Sequence, residues 1–273
     1  MSKFPDNIKL LLSDLDGTLL DSNGCVSDEI IIKISQLKEI GIQFSVASGR
    51  MFSSATAPFG DFRFELPIIT LNGCYVGFPE ILHHPITDDV SSDISPLFEK
   101  TKATIVALKK NNAYLTGHNY IAQKALDHWV SNISYVDSFT PDMYLNTTAY
   151  LITADEKVIK DFYEKAFDII DHRADIFIFR SLRYDPLWYC EIRSKKANKG
   201  SSLKVLREHL GLKKEEVMIL GDYYNDIELF QEAGFSAAPS NAVDEIKDLA
   251  DYVSDKSHDE LAFIDIVENL LLR

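Results

Sequence analysis

Two aspartates spaced two residues apart are the part of the chain whose residue types point most directly to chemistry. Asp14 and Asp16 follow the run LLLS at residues 10–13. Residues i and i+2 of an extended strand point to the same face, so we expect the two carboxylates to converge where the strand gives way to a turn. Such a pair is repulsive unless a hard divalent cation lies between the carboxylates or one of them keeps its proton. Both conditions are useful in phosphoryl chemistry.

Polar residues also follow two other predicted strands. Ser48 and Gly49 come directly after an apolar strand predicted over residues 42–47, and Asp222 comes after a strand predicted over residues 216–220. In open α/β sheets, ligands bind outside the carboxyl ends of the strands. The three strand ends therefore predict one site at one edge of a sheet.

The elements that must position these residues alternate between strand and helix. A strand at residues 8–13 is followed by a helix at 28–40 and by the strand at 42–47. Ser27 is placed to cap the start of this helix, and Gly41 is placed to end it. The short joints between the three elements predict a βαβ unit with parallel strands and a right-handed crossover.

The pattern changes in the middle of the chain. A third strand at residues 67–71 ends in the turn Asn72-Gly73, and the segment 83–189 then has helices and strands of its own. This pattern predicts an α+β segment that is long enough to bury a separate core. Its predicted helices are 90–100, 121–130 and 156–170, and its predicted strands are 104–108, 114–116, 150–154, 176–180 and 187–192.

The alternating pattern returns near the end of the chain. The predicted helices there are 201–210, 226–233, 242–250 and 259–272, and the predicted strands are 216–220, 235–238 and 252–253. The order of all these elements predicts an α/β fold with a doubly wound, Rossmann-like, mostly parallel sheet. Residues 1–82 and 190–273 would form this core, and residues 83–189 would form an inserted α+β cap domain.

Composition and charge narrow the class of partner. The chain has 273 residues, of which 46% are apolar, and this is enough for a well-formed core. The formal net charge of −14 argues against binding to nucleic acid, because neutralising a phosphate backbone needs clustered Lys and Arg. A small anionic substrate remains compatible with this charge, since a metal ion and a few cations can reverse the field inside one pocket.

The cysteines and the N-terminus favour a cytoplasmic protein. Cys25, Cys74 and Cys190 are odd in number, far apart and in no CxxC pattern, which is typical of thiols in a reducing compartment. The N-terminal residues do not have the pattern of a signal peptide. No run reaches the roughly 20 apolar residues that a membrane span needs, so no membrane partner is expected.

Four short motifs in order resemble those of the haloacid dehalogenase (HAD) superfamily of phosphotransferases. They are DLDGTLL at residues 14–20, SGR at 48–50, KG at 199–200 and GDYYND at 221–226. The α+β insertion between the second and third motifs is similar to that of the capped IIB subclass, the Cof-type sugar-phosphate phosphatases. The motifs frame the whole predicted core, whereas the insertion matches that subclass only in length and composition.

The resemblance implies a role for each motif residue. Asp14 would be the nucleophile that accepts the phosphoryl group, and Asp16 would be the general acid and then the general base. The implied catalytic residues are Asp14, Asp16, Ser48 and Lys199. The implied phosphate-contacting residues are Leu15, Ser48, Gly49, Lys199 and Asn225. The implied Mg²⁺-binding residues are Asp14, Asp16 through its main-chain carbonyl, Asp222 and Asp226.

The chemistry requires these residue types for physical reasons. A carboxylate is a poor nucleophile toward an anionic phosphate ester, and it becomes competent when Mg²⁺ and an ammonium group screen the repulsion and hold the attack in line. Asp16 must be protonated when the alcohol leaves, which is possible if its side chain does not touch the metal. The expected activity is Mg²⁺-dependent hydrolysis of a small phosphorylated metabolite, such as a sugar phosphate.

Several alternatives stay open at this stage. A phosphomutase of similar architecture would return the phosphoryl group to a sugar, and a non-catalytic protein could bind a phosphorylated ligand on the same scaffold. The protein could be a monomer or a homodimer. Lys199 could be a solvated lysine at the start of a helix. Tyr223 departs from the family pattern, in which a small residue is typical, and its ring could narrow the pocket or point outward.

Overall fold

The computed structural model of the protein describes residues 5, 7–117, 120–126, 130, 132–181 and 184–272. The strands are β1 (Leu10–Ser13), β2 (Gln43–Val46), β3 (Ile68–Thr70), β4 (Tyr75–Gly77), β5 (Leu82–His83), β6 (Thr104–Lys109), β7 (Asn112–Thr116), β8 (Ile133–Tyr135), β9 (Ala149–Asp155), β10 (Asp175–Arg180), β11 (Leu187–Arg193), β12 (Val217–Leu220), β13 (Phe235–Ala238) and β14 (Tyr252–Val253). The α-helices are α1 (Asp28–Glu39), α2 (Phe52–Thr56), α3 (Asp88–Lys100), α4 (Tyr120–Leu126), α5 (Pro141–Tyr144), α6 (Glu156–Ile170), α7 (Lys199–His209), α8 (Ile227–Glu232), α9 (Asp244–Leu249) and α10 (Ala262–Leu270). Short 3-10 turns are Ala57–Phe59, Leu71–Gly73, Lys214–Glu216, Tyr224–Asp226 and His258–Glu260.

The chain divides into two compact units. The first consists of Met1–Gly49, Ala55–Leu82 and Asn198–Arg273, and the second consists of Arg50–Ser54 and His83–Ala197. Strand β11 belongs to the second unit as a whole, whereas the sequence-based boundary at residue 190 cuts through it. The reason is that β11 pairs along its full length with β9, from Leu187 opposite Asp155 to Arg193 opposite Ala149.

The first unit contains a parallel sheet with the strand order β14-β13-β12-β1-β2. All four residues of the interior strand β1 are completely buried, as expected for a parallel strand covered on both faces. Leu10 and Leu12 pack in one cluster with Leu203 of α7 and Leu229 of α8. Helix α1 packs against β2 and α10.

The first crossover helix has the capping residues that the sequence indicates. The Ser27 hydroxyl accepts a hydrogen bond from the Ile30 amide, Asp28 lies in the first turn, and Lys38 lies in the last turn. These groups satisfy an unpaired amide and complement the helix dipole.

The predicted α/β class, with a parallel sheet and a further sheet formed by the insertion, is confirmed.

The second unit contains a six-stranded sheet in the order β10-β11-β9-β6-β7-β8, antiparallel except for the β7–β8 pair. Helices α3 and α6 pack together, and their side chains share one core with the sheet. Phe98 and Phe162 stack at 6.1 Å within this core, beside the buried Tyr150. The unit therefore buries an apolar core of its own.

Several predicted boundaries differ from the structure. Helix α7 begins at Lys199 rather than at residue 201, and a 3-10 turn precedes α8, which begins at Ile227. The short elements β8 and α5 were not predicted, because three or four residues are too few to show a period. Part of the helix predicted at 121–130 lies outside the described residues. No helix in the described ranges is both long and apolar enough to cross a membrane.

Candidate active site

Three buried carboxylates meet at the carboxyl-terminal edge of the parallel sheet. Asp14 follows β1, Asp222 follows β12 after one glycine, and Asp226 ends the 3-10 turn after Asp222. One oxygen of each lies within 4.8 Å of the others. The Asp14 amide donates to the Leu220 carbonyl at 2.9 Å, so two neighbouring strand ends hold the first two carboxylates side by side.

A buried lysine lies against two of these carboxylates. Lys199 Nζ is 2.6 Å from Asp14 Oδ1 and 2.6 Å from Asp226 Oδ1, and the residue is only 1% exposed. It is the first residue of α7, whose start is fixed by the Asn198 side chain accepting from the Ser201 amide at 2.7 Å. The interpretation of Lys199 as a solvated surface lysine is therefore wrong.

Hydrogen bonds orient the carboxylates and leave two oxygens available. Thr18 Oγ1 donates to Asp222 Oδ1 at 2.7 Å, and Asp226 Oδ2 accepts from the amides of Asp222 and Tyr223 at 3.1 and 3.3 Å. Both oxygens of Asp226 are thus engaged. Among the described residues, no hydrogen-bond donor reaches Asp14 Oδ2 or Asp222 Oδ2.

Burial, together with repulsion between neighbouring carboxylates, raises the pKa values of Asp14 and Asp222. Burial raises the pKa of Asp14 well above its usual value, and Asp226 adds to this effect while Lys199 opposes it. Burial and then Asp226 raise the pKa of Asp222 to about 7. Burial alone would lower the pKa of Lys199, but the attraction of Asp14 and Asp226 is stronger and raises it. Lys199 is therefore charged, and it balances only one of the three carboxylates when all are ionised.

This donor set fits a hard divalent cation. The available ligands are carboxylate oxygens, with no Cys or His in the cluster, and oxygen ligands suit Mg²⁺, Ca²⁺ and Mn²⁺. A cation would also offset the negative charge that, after burial, contributes to the raised pKa values of Asp14 and Asp222. The cluster can therefore hold a metal ion.

The turn after β1 passes very close to the cluster. Gly17 has a φ of +84°, and a Cβ atom there would lie 2.3 Å from Asp222 Oδ2. Glycine is therefore required at this position by both backbone conformation and space. The turn is also held from the other side, where the Asn241 side-chain amide donates to the Gly17 carbonyl at 2.8 Å.

The carboxylate of Asp16 is exposed and is not part of the cluster formed by the described acidic residues. This differs from the convergence expected for positions i and i+2 of a strand. The physical reason is that β1 ends at Ser13, and the chain then turns so that the Leu15 carbonyl accepts the amides of Thr18 and the two leucines that follow it. The Asp16 charge nevertheless acts on Asp222 and raises its pKa slightly further.

Ser48 and Gly49 lie at the same edge of the sheet. The Ala47 amide donates to the Ser13 carbonyl at 2.9 Å, which continues the pairing of β2 with β1 and brings Ser48 beside the strand end that carries Asp14. Ser48 is buried, whereas Gly49 is partly exposed.

Leu15 and Asn225 complete the residues implied for phosphate contact. The Leu15 side chain is fully buried, so only its main chain is available to a ligand. The Asn225 side-chain amide donates to Asn72 Oδ1 at 3.1 Å. Asn225 is thus tied to the turn after β3 and is not hydrogen-bonded to the carboxylate cluster in the described part of the chain.

Tyr223 presents its ring to solvent. Tyr223 is 49% exposed, and its ring packs edge-on against that of Tyr224 at 4.9 Å. The Tyr224 hydroxyl donates to Glu245 Oε1 at 3.2 Å. The sequence left open whether the ring narrows the pocket or points outward. Its exposure agrees with the outward orientation.

Two polar residues of this site, and one contact of a third, were not predicted from the sequence. Thr18 lies inside the first motif and orients Asp222, and Asn198 caps the helix that carries Lys199. Asn72 marked a turn, but its contact with Asn225 spans 153 positions. Of these residues, only Asn198 has a role that the local sequence could have predicted, because an Asn directly before a helix is a preferred cap.

Comparison with known proteins gives the same family as the motifs. The family model described as haloacid dehalogenase-like hydrolase matches residues 11–262. The chain is 25% identical over 252 residues to the 5-amino-6-(5-phospho-D-ribitylamino)uracil phosphatase YitU of Bacillus subtilis strain 168, which covers 88% of this chain and 90% of that protein. It is 27% identical over 294 residues to the phosphatase YwpJ of the same strain, covering 97% and 100% of the two chains.

Solved structures share the fold. TM0651 from Thermotoga maritima superimposes with a TM-score of 0.81 at 26% identity, covering 96% of this chain and 97% of that one. The HAD subclass IIB sugar phosphatase BT4131 has a TM-score of 0.77 at 21% identity, covering 96% and 98%, and at this identity the likeness concerns the fold alone. The family resemblance stated from the motifs is confirmed.

Proposed function

Because this chain belongs to the haloacid dehalogenase-like hydrolase family, we propose that it is a Mg²⁺-dependent phosphatase acting through an aspartyl-phosphate on Asp14. Its general class as a phosphatase follows from the family and from its relatives. The proposal concerns the metal, the covalent intermediate and the substrate, which is a small phosphorylated metabolite such as a sugar phosphate.

The observation that carries the proposal is the buried lysine set among three carboxylates at the sheet edge. Lys199 is bonded to Asp14 and to Asp226 but leaves one Asp14 oxygen without a hydrogen bond among the described residues. An ammonium group at this position would offset the charge of an incoming phosphate and would favour the ionised form of Asp14. A site that only bound a phosphate would have no need for buried carboxylates, which repel that anion.

In the first half-reaction, an Asp14 oxygen attacks phosphorus and the bond to the leaving alcohol oxygen breaks. Asp16 gives its proton to that oxygen, so the alcohol departs neutral and Asp16 becomes ionised. The exposure of the Asp16 side chain supports this role, because it lies outside the cluster of described acidic residues and can exchange protons with solvent. Ser48, Gly49 and the Leu15 main chain would hold phosphoryl oxygens.

In the second half-reaction, Asp16 takes a proton from a water molecule whose oxygen attacks the phosphorus of the aspartyl-phosphate. The bond between phosphorus and Asp14 breaks, Asp14 returns to a carboxylate, and inorganic phosphate leaves. Asp16 is again protonated and ready for the next substrate. One residue therefore serves as acid and base in successive steps.

Asp14 and Asp222 would hold Mg²⁺, together with the Asp16 main-chain carbonyl. Bound Mg²⁺ supplies positive charge that offsets Asp14 and the phosphoryl oxygens. Asp226 would support the site indirectly, since Lys199 and two amides already engage both of its oxygens. Thr18 would keep Asp222 oriented through its 2.7 Å hydrogen bond.

We assign substrate selection to the insertion, proposed above as the cap domain at 83–189. It has a core of its own, so its surface can vary without disturbing the catalytic unit. The relative YitU is named for a phosphate ester of a ribityl chain attached to a uracil ring. A phosphorylated sugar or sugar alcohol is accordingly the substrate class to test first.

The test is a screen of the purified protein against a panel of phosphorylated metabolites that includes 5-amino-6-(5-phospho-D-ribitylamino)uracil and simple sugar phosphates. Released phosphate and the organic product are both measured. Stoichiometric release of phosphate with the free alcohol supports the proposal. Accumulation of an isomeric sugar phosphate would indicate a phosphomutase, and tight binding without turnover would indicate a binding protein.

Mg²⁺ should stabilise the protein more at about pH 8 than at about pH 5. With its pKa near 7 in the metal-free fold and an ordinary value of about 4 when unfolded, Asp222 binds more protons in the native state between these values. Stability of the metal-free protein therefore falls as pH rises through this window. Mg²⁺ must displace that proton below pH 7, so each lower pH unit should weaken binding by up to about tenfold.

Melting temperatures with and without Mg²⁺ at both pH values measure this effect. Asp222→Asn should show a small Mg²⁺ shift at both values, and Asp248→Asn, an exposed carboxylate on α9, should behave like the wild type. An equal Mg²⁺ shift at both pH values in the wild type would contradict the prediction.

A further inference from the structure

We propose that the turn Leu71–Gly73 positions three of the groups implied for phosphate contact, namely Ser48, Lys199 and Asn225, with Asn72 and Gly73 as the positioning residues. The inference rests on the proposed phosphatase function. The turn lies in none of the four motifs at 14–20, 48–50, 199–200 and 221–226, and it contributes no carboxylate to the cluster.

The backbone of the turn is unusual. Leu71, Asn72 and Gly73 have φ values of +51°, +53° and +90°, so three successive residues adopt the left-handed region. Asn and Gly tolerate this conformation, whereas a leucine there is strained. Strained backbone of this kind persists only where the surrounding structure enforces it, and it concentrates at functional sites.

The first contact of the turn is with Ser48. The Ser48 amide donates to the Ile69 carbonyl of β3 at 2.9 Å, and the Asn72 amide donates to the Ser48 carbonyl at 3.1 Å. Strand β3 and the turn thus hold both main-chain polar groups of Ser48. The loop after β2 is thereby fixed at the sheet edge.

The second contact is with Asn225. Asn72 Oδ1 accepts the Asn225 side-chain amide at 3.1 Å, although the two residues are 153 positions apart. The left-handed conformation of Asn72 determines where its side chain projects. The contact therefore joins the turn to the loop that contains Asp222 and Asp226.

The third contact is with the helix that carries Lys199. A Cβ atom on Gly73 would lie 2.2 Å from the Asn198 carbonyl oxygen and 3.0 Å from the Lys199 amide nitrogen. Ser202 Oγ donates to the Gly73 carbonyl at 2.8 Å, and both groups are buried. The first turn of α7 therefore rests directly on the backbone of Gly73, at a distance that only glycine permits.

Gly73→Ala tests the third contact, and Gly41→Ala is its matched control. Gly41 has a similar φ of +85°, but no atom lies within 4 Å of its Cβ position, so the control carries the same backbone strain without the collision. With p-nitrophenyl phosphate and Mg²⁺, we expect Gly73→Ala to lower kcat/KM by roughly 10²-fold through displacement of Lys199. Inhibition by inorganic phosphate should weaken in parallel, and Gly41→Ala should stay within about twofold of the wild type.

Asn72→Gly tests the second contact and remains informative if Gly73→Ala does not fold. It keeps the left-handed backbone and removes the side chain that holds Asn225. We expect kcat/KM to fall by about tenfold and the inhibition constant for inorganic phosphate to rise. Asn225→Ala should have little additional effect in the Asn72→Gly background, because the two changes remove one shared contact.

The outcomes separate the two proposals. An active wild type whose Gly73→Ala variant matches Gly41→Ala, and whose Asn72→Gly and Asn225→Ala effects add independently, overturns the positioning role and leaves the phosphatase function standing. A wild type that releases phosphate neither from p-nitrophenyl phosphate nor from any compound of the panel overturns both. Weaker inhibition by inorganic phosphate in both turn variants, with melting temperatures equal to that of the control, supports the positioning role.

Discussion

Asp14→Asn should reduce kcat for p-nitrophenyl phosphate by roughly 10⁴-fold or more while the protein stays folded. The substitution is nearly isosteric and removes the only oxygen nucleophile that the proposal assigns. Stability should be maintained, because the change removes one of three mutually repulsive buried carboxylates and leaves Lys199 paired with Asp226. Steady-state hydrolysis and thermal unfolding, both with saturating Mg²⁺, measure the two parts of the prediction.

Asp16→Asn provides the mechanistic comparison. p-Nitrophenolate leaves readily without a proton, so the first half-reaction should continue while hydrolysis of the intermediate slows. A rapid burst of one equivalent of p-nitrophenol, followed by slow turnover, is therefore expected for Asp16→Asn and not for Asp14→Asn. Activity of Asp14→Asn above a few per cent of wild type would remove Asp14 from the role of nucleophile.

Lys199→Met should be both inactive and markedly unstable near neutral pH. The lysine side chain is fully buried and pairs with two carboxylates that are themselves 8% and 0% exposed. Removing one partner from a buried ion pair costs about 3–5 kcal/mol because the remaining charges are uncompensated. Loss of the ammonium group should also lower kcat by roughly 10²–10³-fold, as is typical for a group that stabilises transition-state charge.

The pH dependence of the stability loss in Lys199→Met identifies its cause. Carboxylates whose pKa values are raised in the fold bind more protons than in the unfolded chain, so the instability of Lys199→Met should shrink as pH falls from about 8 toward 5. In the wild type, Lys199 has a raised pKa, so titration of the lysine itself removes none of its contribution below the ordinary lysine value of about 10.4.

Urea unfolding at two pH values gives the free energies, and Lys195→Met is the matched control. Lys195 lies four positions away and is exposed, so its removal should change the unfolding free energy by less than about 0.5 kcal/mol. Equal stability losses for the two lysine variants would be incompatible with the buried ion pairs described above.

Local patterns in the sequence were sufficient for the elements that build the core. The unbroken apolar run ending at Ser13 indicates a buried strand, and Ser27 followed by two acidic residues marks the start of α1. The four ordered motifs indicate the family, because each combines residue types that phosphoryl transfer requires at the end of a strand or the start of a helix. These signals lie within a few residues of one another, where spacing alone decides which side chains share a face.

Local spacing did not determine which of these residues lie together in the site. Asp14 and Asp16 look equivalent in the sequence, yet Asp14 is buried in the cluster and Asp16 is exposed, because the strand ends between Ser13 and Asp14. Asp226, predicted as a metal ligand, lies in the cluster with both oxygens already hydrogen-bonded. The contacts of Asp226 depend on the conformation of the 3-10 turn Tyr224–Asp226, which it ends.

What the sequence by itself determined is therefore the chemistry available to the protein: the paired aspartates Asp14 and Asp16, a lysine, and the acidic loop with Asp222 and Asp226, all on an α/β scaffold. Only the tertiary structure decided which of these groups meet. Lys199 and Asp14 are separated by 185 positions and Asn72 and Asn225 by 153, and both pairs form because the order of the strands and the packing of α7 bring distant segments together. Contacts over such separations reflect the whole packed core, and no local pattern of residues encodes them.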